Sequence, residues 1–298
     1  MSHTPATHPR VAIPELHKMA AQGRKIVMLT AYDYPSARIA VAGGVDVVLV
    51  GDSAAMTVLG YSSTRDISID ELLMLTRAVR RAVTDLPVIG DLPFGTYEES
   101  DGLAVKSASR FVEEGGCDAV KLEGGGAMIP RVRAIIEAGI PVFGHVGLLP
   151  QSVRTREGYR ARGRDPEQAL AIVAESDELA AAGCMALIVE AVPAPVTGII
   201  SRRVGIPVIG IGAGLETSGQ VLVYHDLLGF SEGRQARFVH QYASARSDLS
   251  GAVAAWAADV RARRYPAPEH TYPITAEALE EVRRRATEIS APGKLPIR

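Results

Sequence analysis

Two cysteines in 298 residues are too few for a disulfide framework, and Cys117 and Cys184 lie far apart, outside any metal-type spacing. They read as reduced, buried thiols of a cytoplasmic protein. Excess charge of one sign is also missing, since 32 Lys and Arg stand against 34 Asp and Glu. Without such a field, sequence-independent attachment to nucleic acid or anionic lipid is disfavoured, which leaves small molecules or copies of the same chain as partners. The first ten residues, rich in His, Pro and Thr, lack the apolar core of a signal peptide. Val41 to Gly60 is apolar enough to suggest a membrane span, but Asp46 and Asp52 inside it would each be costly in lipid, so it reads as a buried strand and its turn. No HExxH, Walker A or paired CxxC motif occurs, and Gly51-Asp52-Ser53-Ala54-Ala55 lacks the second glycine of a nucleophile elbow. Acyl-serine hydrolysis is therefore disfavoured.

What is present is apolar and periodic. At 47% hydrophobic the chain can bury a large core, and one α/β barrel of about 250 residues plus tails fits its length better than two domains. Short runs of Val, Ile and Leu recur, each followed by helical spacing. The strands expected are Ile26 to Ala31, Val45 to Val50, Pro87 to Gly90, Ala119 to Leu122, Pro141 to Gly144, Ala186 to Val189, Pro207 to Ile211 and Val221 to Tyr224. Nearly all lack polar alternation, as parallel strands covered on both faces do. Eight such units make a (β/α)₈ barrel. Ser68 with Glu71 forms a capping box ahead of Leu72, Leu75, Val79 and Ala82, which share one helix face. Asp165-Pro166 opens another helix, and Gly183 stands where a left-handed cap would close it. After the last strand, Ala252 to Arg263 and Ala276 to Arg285 look helical, while Tyr265 to Pro268 and Ala291 to Pro296 look like linker or tail. The expected organisation is a tail and lead-in helix over residues 1–20, a barrel over 21–266 and an extension over 267–298. A doubly wound open sheet is the runner-up, because Gly210-Ile211-Gly212-Ala213-Gly214 follows a strand. Its third glycine comes one position early for the dinucleotide fingerprint, and a tight turn or a weak phosphate cradle explains it as well.

A barrel places its chemistry where strands end and βα loops begin. The polar residues there are Tyr32 and Asp33, Asp52 and Ser53, Asp91, Lys121 and Glu123, His145, Glu190, and His225 with Asp226. Asp52 and Asp91 offer few hard oxygen ligands and leave positions open, which suits Mg²⁺ retaining water and substrate. A helix cap for Asp52 and an Asx-turn for Asp91 are the alternatives. Lys121 and Glu123, two apart on an extended segment, project to the same face, either as working groups or as an ion pair in the barrel mouth. His145 fits a site histidine or a satisfied core one. Glu190, between Val189 and Ala191, carries a partly desolvated carboxylate suited to a base, or else to a salt bridge. His225-Asp226 shapes the last loop and is assigned no chemistry.

Five segments taken together carry a resemblance. They are Val50-Gly51-Asp52-Ser53, Asp91-Leu92-Pro93-Phe94, Val120-Lys121-Leu122-Glu123-Gly124-Gly125, Gly144-His145-Val146-Gly147-Leu148 with Pro150-Gln151-Ser152-Val153, and Pro207 through Gly214. In this order, from about Thr30 to Pro266, the chain resembles the ketopantoate hydroxymethyltransferase family. The resemblance implies a TIM barrel of the phosphoenolpyruvate/pyruvate type that transfers a one-carbon unit from 5,10-methylenetetrahydrofolate to 3-methyl-2-oxobutanoate. It also implies Mg²⁺ held by Asp52 and Asp91 with Glu123 close by through water, and the oxo acid held by Ser53 and Lys121 beside Asp52 and Asp91. Further implications are Glu190 as the base, His145 in the site, Tyr32 on the same rim, and a homodecamer. Two other functions share parts of this pattern: a C–C or C–P lyase of the same barrel type, and an oligomeric barrel that binds oxo acids without turning them over.

Overall fold

A computed structural model describes residues 12–153, 159–231 and 235–288. The expected tail at 291–296 and the first ten residues lie outside these. The chain divides into two compact units, Met1–Ser244 and Ala245–Arg298.

The first unit is a closed barrel of parallel strands in the order β1-β2-β3-β4-β5-β6-β7-β8. The strands are β1 Ile26–Thr30, β2 Val47–Val50, β3 Val88–Asp91, β4 Ala119–Glu123, β5 Val142–Gly147, β6 Ala186–Glu190, β7 Val208–Ile211 and β8 Gly219–Leu222. The first helix, α1 Ile13–Ala21, precedes β1. Between and after the strands lie α2 Tyr34–Ala42, α3 Ala54–Thr57, α4 Ile69–Ala82, α5 Asp101–Glu113, α6 Ile129–Glu137, α7 Pro166–Ala181, α8 Ala194–Arg203 and α9 Tyr224–Leu228. The second unit contains α10 Ala245–Arg261, with no buried residue, and α11 Ala276–Glu288. Among the described residues no helix is long and apolar enough to cross a membrane.

The barrel forms because its strands are apolar on both faces. Met28, Leu49, Ile89, Ala119, Phe143, Ile188 and Ile209 pack together in the interior. Their neighbours Leu29, Val48, Val88, Val120, Val142, Leu187 and Val208 belong to the outer cluster shared with the helices. Ile13, Leu16 and Met19 of α1 join the interior cluster. Since α1 leads directly into β1, they close the end of the barrel where the strands begin.

Local signals position these elements. Ser68 and Glu71 form the capping box of α4, and Leu72, Leu75, Val79 and Ala82 are buried. The Asp165 side chain accepts from the Gln168 N–H to start α7, and Gly183 follows that helix with φ of +100°. Pro87, Pro141 and Pro207 stand just ahead of β3, β5 and β7. Having no N–H, each contributes its carbonyl instead, accepting from Val48, Val120 and Leu187 of the neighbouring strand.

Several expected boundaries move, most of all around the eighth strand and the helix after it. The eighth strand begins two residues early, at Gly219, because β1 pairs Ile26 with Gly219 and Val27 with Gln220. That approach needs a glycine, since a Cβ at 219 would stand 2.2 Å from the Ile26 carbonyl oxygen. Tyr224, expected inside the strand, instead starts α9, its N–H donating to Thr30 Oγ1 at 2.9 Å. The next helix, α10, begins at Ala245 and not at Ala252. Gly212 and Gly214, with φ of +63° and +88°, make the tight turn after β7.

Candidate active site

Strand parity builds the site. Ile89 faces the interior, so Asp91 does too, and by the same count of two Ala119 leads to Lys121 and Glu123, Phe143 to His145 and Ile188 to Glu190. Parallel register sets Asp91 beside Lys121 and Glu123 beside His145. The upper barrel interior is thus lined by charge where the lower interior is lined by Ile, Leu and Phe.

These side chains touch in sequence around the mouth. Lys121 Nζ donates to Asp91 Oδ1 at 2.7 Å and lies 3.9 Å from Glu123 Oε1. Glu123 Oε1 lies 3.5 Å from His145 Nδ1, and His145 Nε2 lies 3.3 Å from Glu190 Oε2. Neither histidine contact is aligned as a hydrogen bond, so charge holds the ring. Asp52 joins through its own N–H, which donates to Asp91 Oδ2 at 3.1 Å. The Tyr32 hydroxyl pairs with Ser53 Oγ at 2.7 Å on the same rim. Every sequence-predicted site residue is therefore in this one mouth. Lys121, Glu123 and His145 side chains are 5% exposed or less, whereas Glu190 is 15% exposed. Glu190 also lines a cavity of about 630 Å³ with Leu148, Tyr159, Arg160, Arg237 and Phe238.

The alternatives for the two aspartates do not describe them. The N-cap of α3 is Ser53, without a side-chain cap bond, and both Asp91 oxygens are engaged by Lys121 and Asp52 rather than by an Asx-turn. His225 packs against Tyr32, Tyr224 and Phe230.

The electrostatics mark a site short of positive charge. Burial, then Asp91, raises the Asp52 carboxyl well above its ordinary value, and Lys121 only partly compensates. Burial opposes the charged form of Lys121, yet Asp91, Glu123 and Asp52 outweigh it and hold the ammonium above its usual range. Burial and Lys121 likewise oppose the His145 imidazolium, and Glu123 with Glu190 still push it up to about 9. Burial raises the Tyr32 hydroxyl to about 12. Glu123 Oε1 is buried with no hydrogen-bond partner. Hard, partly unpaired oxygens under excess negative charge fit a divalent cation. Among the described residues no three His, Cys, Asp or Glu side chains close around an ion, so a cation here would keep open positions.

Two participants escaped the sequence. Gln151, inside a quoted segment but given no role, donates from Nε2 to Asp52 Oδ2 at 2.9 Å. Tyr97 donates its hydroxyl to Gln151 Oε1 at 2.6 Å and accepts from the Glu123 N–H at 3.3 Å. Both are buried side chains whose partners come from distant segments of the chain, a pairing no local pattern encodes.

Known proteins share this chain's sequence and its barrel. Residues 10–268 match the family model described as ketopantoate hydroxymethyltransferase. The 3-methyl-2-oxobutanoate hydroxymethyltransferase of Moorella thermoacetica is 46% identical over 267 residues, covering 90% of this chain and 99% of its own. Proteins of the same name from Rhodococcus jostii and Thermobifida fusca are 47% and 45% identical, covering 86% and 91% of this chain and 89% and 99% of theirs. Among solved structures, phosphoenolpyruvate phosphomutase from Streptomyces platensis superposes with a TM-score of 0.58 at 16% identity, covering 93% of this chain and 99% of its own. A 2,3-dimethylmalate lyase of the PEP mutase/isocitrate lyase superfamily gives 0.53 at 15%, covering 95% of each. Likeness that distant shows the barrel type alone, so the lyase alternative gains nothing from it. With the family model spanning most of the chain and relatives near 45% identity, this chain belongs to the ketopantoate hydroxymethyltransferase family.

Proposed function

We propose that this enzyme transfers the one-carbon unit of 5,10-methylenetetrahydrofolate to 3-methyl-2-oxobutanoate, giving 2-dehydropantoate and tetrahydrofolate with water supplying the hydroxyl oxygen. The observation that carries the proposal is the unbroken line Asp91, Lys121, Glu123, His145 and Glu190 around one barrel mouth, with Asp52 tied to its start. Asp52 and Asp91 would hold Mg²⁺, with Glu123 a further oxygen donor close to it. A phosphonopyruvate hydrolase of the same barrel type has been crystallised as a complex with oxalate and Mg²⁺, which supports that choice of ion. When bound, the cation polarises the ketone and lowers the cost of charge on its oxygen.

The protein's own groups do the rest. Lys121 and Ser53, with Tyr32 behind the serine, fix the carboxylate of the oxo acid so that one face of the enolate meets the incoming carbon, an orientation effect worth several kcal/mol. Glu190 removes the C3 proton, and His145, 3.3 Å from it, holds the carboxylate in place before the transfer. The cavity beside Glu190 is on the open side of the base, where the folate must bring its methylene group. The enzyme acts as a cytoplasmic homodecamer, and native mass measurement tests that state against the 31.6 kDa chain.

Proton NMR of the oxo acid in D₂O tests the chemistry. Wild-type protein with Mg²⁺ exchanges the C3 proton without folate and forms 2-dehydropantoate with it. Asp52→Asn and Asp91→Asn lose metal-dependent turnover, while Glu190→Gln binds metal and oxo acid but does not exchange C3. Full exchange by Glu190→Gln would remove the base from the scheme. Binding without exchange in the wild type would favour a non-catalytic role, and cleavage of the substrate without folate would favour a lyase.

A further inference from the structure

Gln151 is 2% exposed, and each of its polar groups is engaged. Its side-chain nitrogen donates to Asp52 Oδ2 and to the Leu92 carbonyl, both at 2.9 Å. Its side-chain oxygen accepts from the Tyr97 hydroxyl at 2.6 Å. Its backbone N–H donates to Glu123 Oε2 at 3.0 Å, and its carbonyl accepts from Arg65 Nη1 at 2.6 Å. Because a carboxylate and a carbonyl only accept, the amide can be oriented one way, with its nitrogen toward Asp52 and Leu92. The Tyr97 hydroxyl must then donate toward Gln151 while it accepts from Glu123.

One residue in the short turn after β5 thereby grips the loops after β2 and β3 and the end of β4. It takes one oxygen from each of two carboxylates, Oδ2 of Asp52 and Oε2 of Glu123. Glu123 is left with Oε1, which has no hydrogen-bond partner, and Asp52 is left with Oδ1. Arg65 anchors the turn from outside, its guanidinium lying 3.4 Å above the Phe94 ring.

We propose that Gln151 is a positioning residue that selects which oxygen Asp52 and Glu123 present to a bound divalent cation. The inference rests on the proposed role of those carboxylates in holding Mg²⁺. Outer partners of metal ligands commonly contribute 10- to 100-fold in affinity, and the same order is expected here.

Mn²⁺ binding to the metal-free protein, followed by the paramagnetic resonance signal of free Mn²⁺, tests it without reference to turnover. Gln151→Met removes the amide but keeps its length and both backbone bonds, and Gln151→Asn keeps an amide but withdraws it from Asp52. Both should raise the Mn²⁺ dissociation constant by about 10- to 100-fold. Their thermal midpoints without metal should fall, because Asp52 Oδ2 and the Leu92 carbonyl lose a buried donor, so affinity is compared well below those midpoints, and kcat should recover at high metal. Should Gln151→Met not fold, Gln151→Asn and Tyr97→Phe carry the test, the latter with a smaller loss in the same direction. Wild-type Mn²⁺ affinity in folded variants would overturn the role of Gln151 alone. Failure of the wild-type protein to bind Mn²⁺ would overturn the cation site and this inference together.

Discussion

At the scale of single residues, burial decides reactivity away from the site. Cys184 is buried and its thiol is pushed up to about 12 by desolvation, and Cys117 is raised further for the same reason. Since the thiolate is the reactive form, only about one Cys184 in ten thousand is primed at pH 8. Neither thiol should react with a disulfide reagent in the native protein within minutes, and both should react once urea unfolds it. Rapid native labelling would contradict their placement. His225 gives a second prediction. Burial lowers its pKa, against the pull of Asp226 and Asp33. Below the ordinary histidine value of about 6.5, the unfolded chain takes up a proton that the folded chain resists. This part of the stability is therefore present above 6.5 and lost as pH falls from there through the lower folded pKa. His225→Gln should flatten that portion of the melting-temperature profile between pH 7.5 and 5, and an unchanged slope would refute the assignment.

At the scale of elements, the end of β5 is pressed against the end of β6. Gly147 has φ of +95°, and a Cβ there would stand 2.3 Å from the Glu190 carbonyl oxygen. Gly147→Ala should cost about 1–3 kcal/mol in urea denaturation through backbone strain, more if the clash is not relieved. It should also lower C3 exchange beyond what the stability loss explains, because the backbone that would yield carries the base. Elements were legible in the sequence where their physics is local. The capping box at Ser68 and the cap at Asp165 need only three or four residues, and the charged residues at strand ends need only a count of two. The start of β8 was not legible, because Gly219 is chosen by the backbone of β1 and not by its own β propensity. Gln151 was hidden for a related reason: its partners Asp52, Leu92, Tyr97 and Glu123 lie 28 to 99 positions away.

At the scale of the whole molecule, a cation that binds only the folded mouth must stabilise the entire first unit. At a concentration one hundred times its dissociation constant the gain is about 2.7 kcal/mol. Thermal unfolding in EDTA should therefore occur several degrees below unfolding in saturating Mg²⁺, and the difference should vanish in Asp91→Asn. Equal midpoints in wild-type protein would mean that no cation binds there. The barrel as a whole was legible because eight apolar runs in phase with helices admit few other closures. The helix α10 was only partly so, since a helix without a buried face leaves no hydrophobic period to set its first residue.

The three side chains that α1 lends to the lower interior, Ile13, Leu16 and Met19, have a bearing on traffic. With that end filled by apolar side chains among the described residues, reactants and products would share the charged end. Each departing molecule must clear the same passage the next one enters, and product retained there competes with fresh oxo acid for entry.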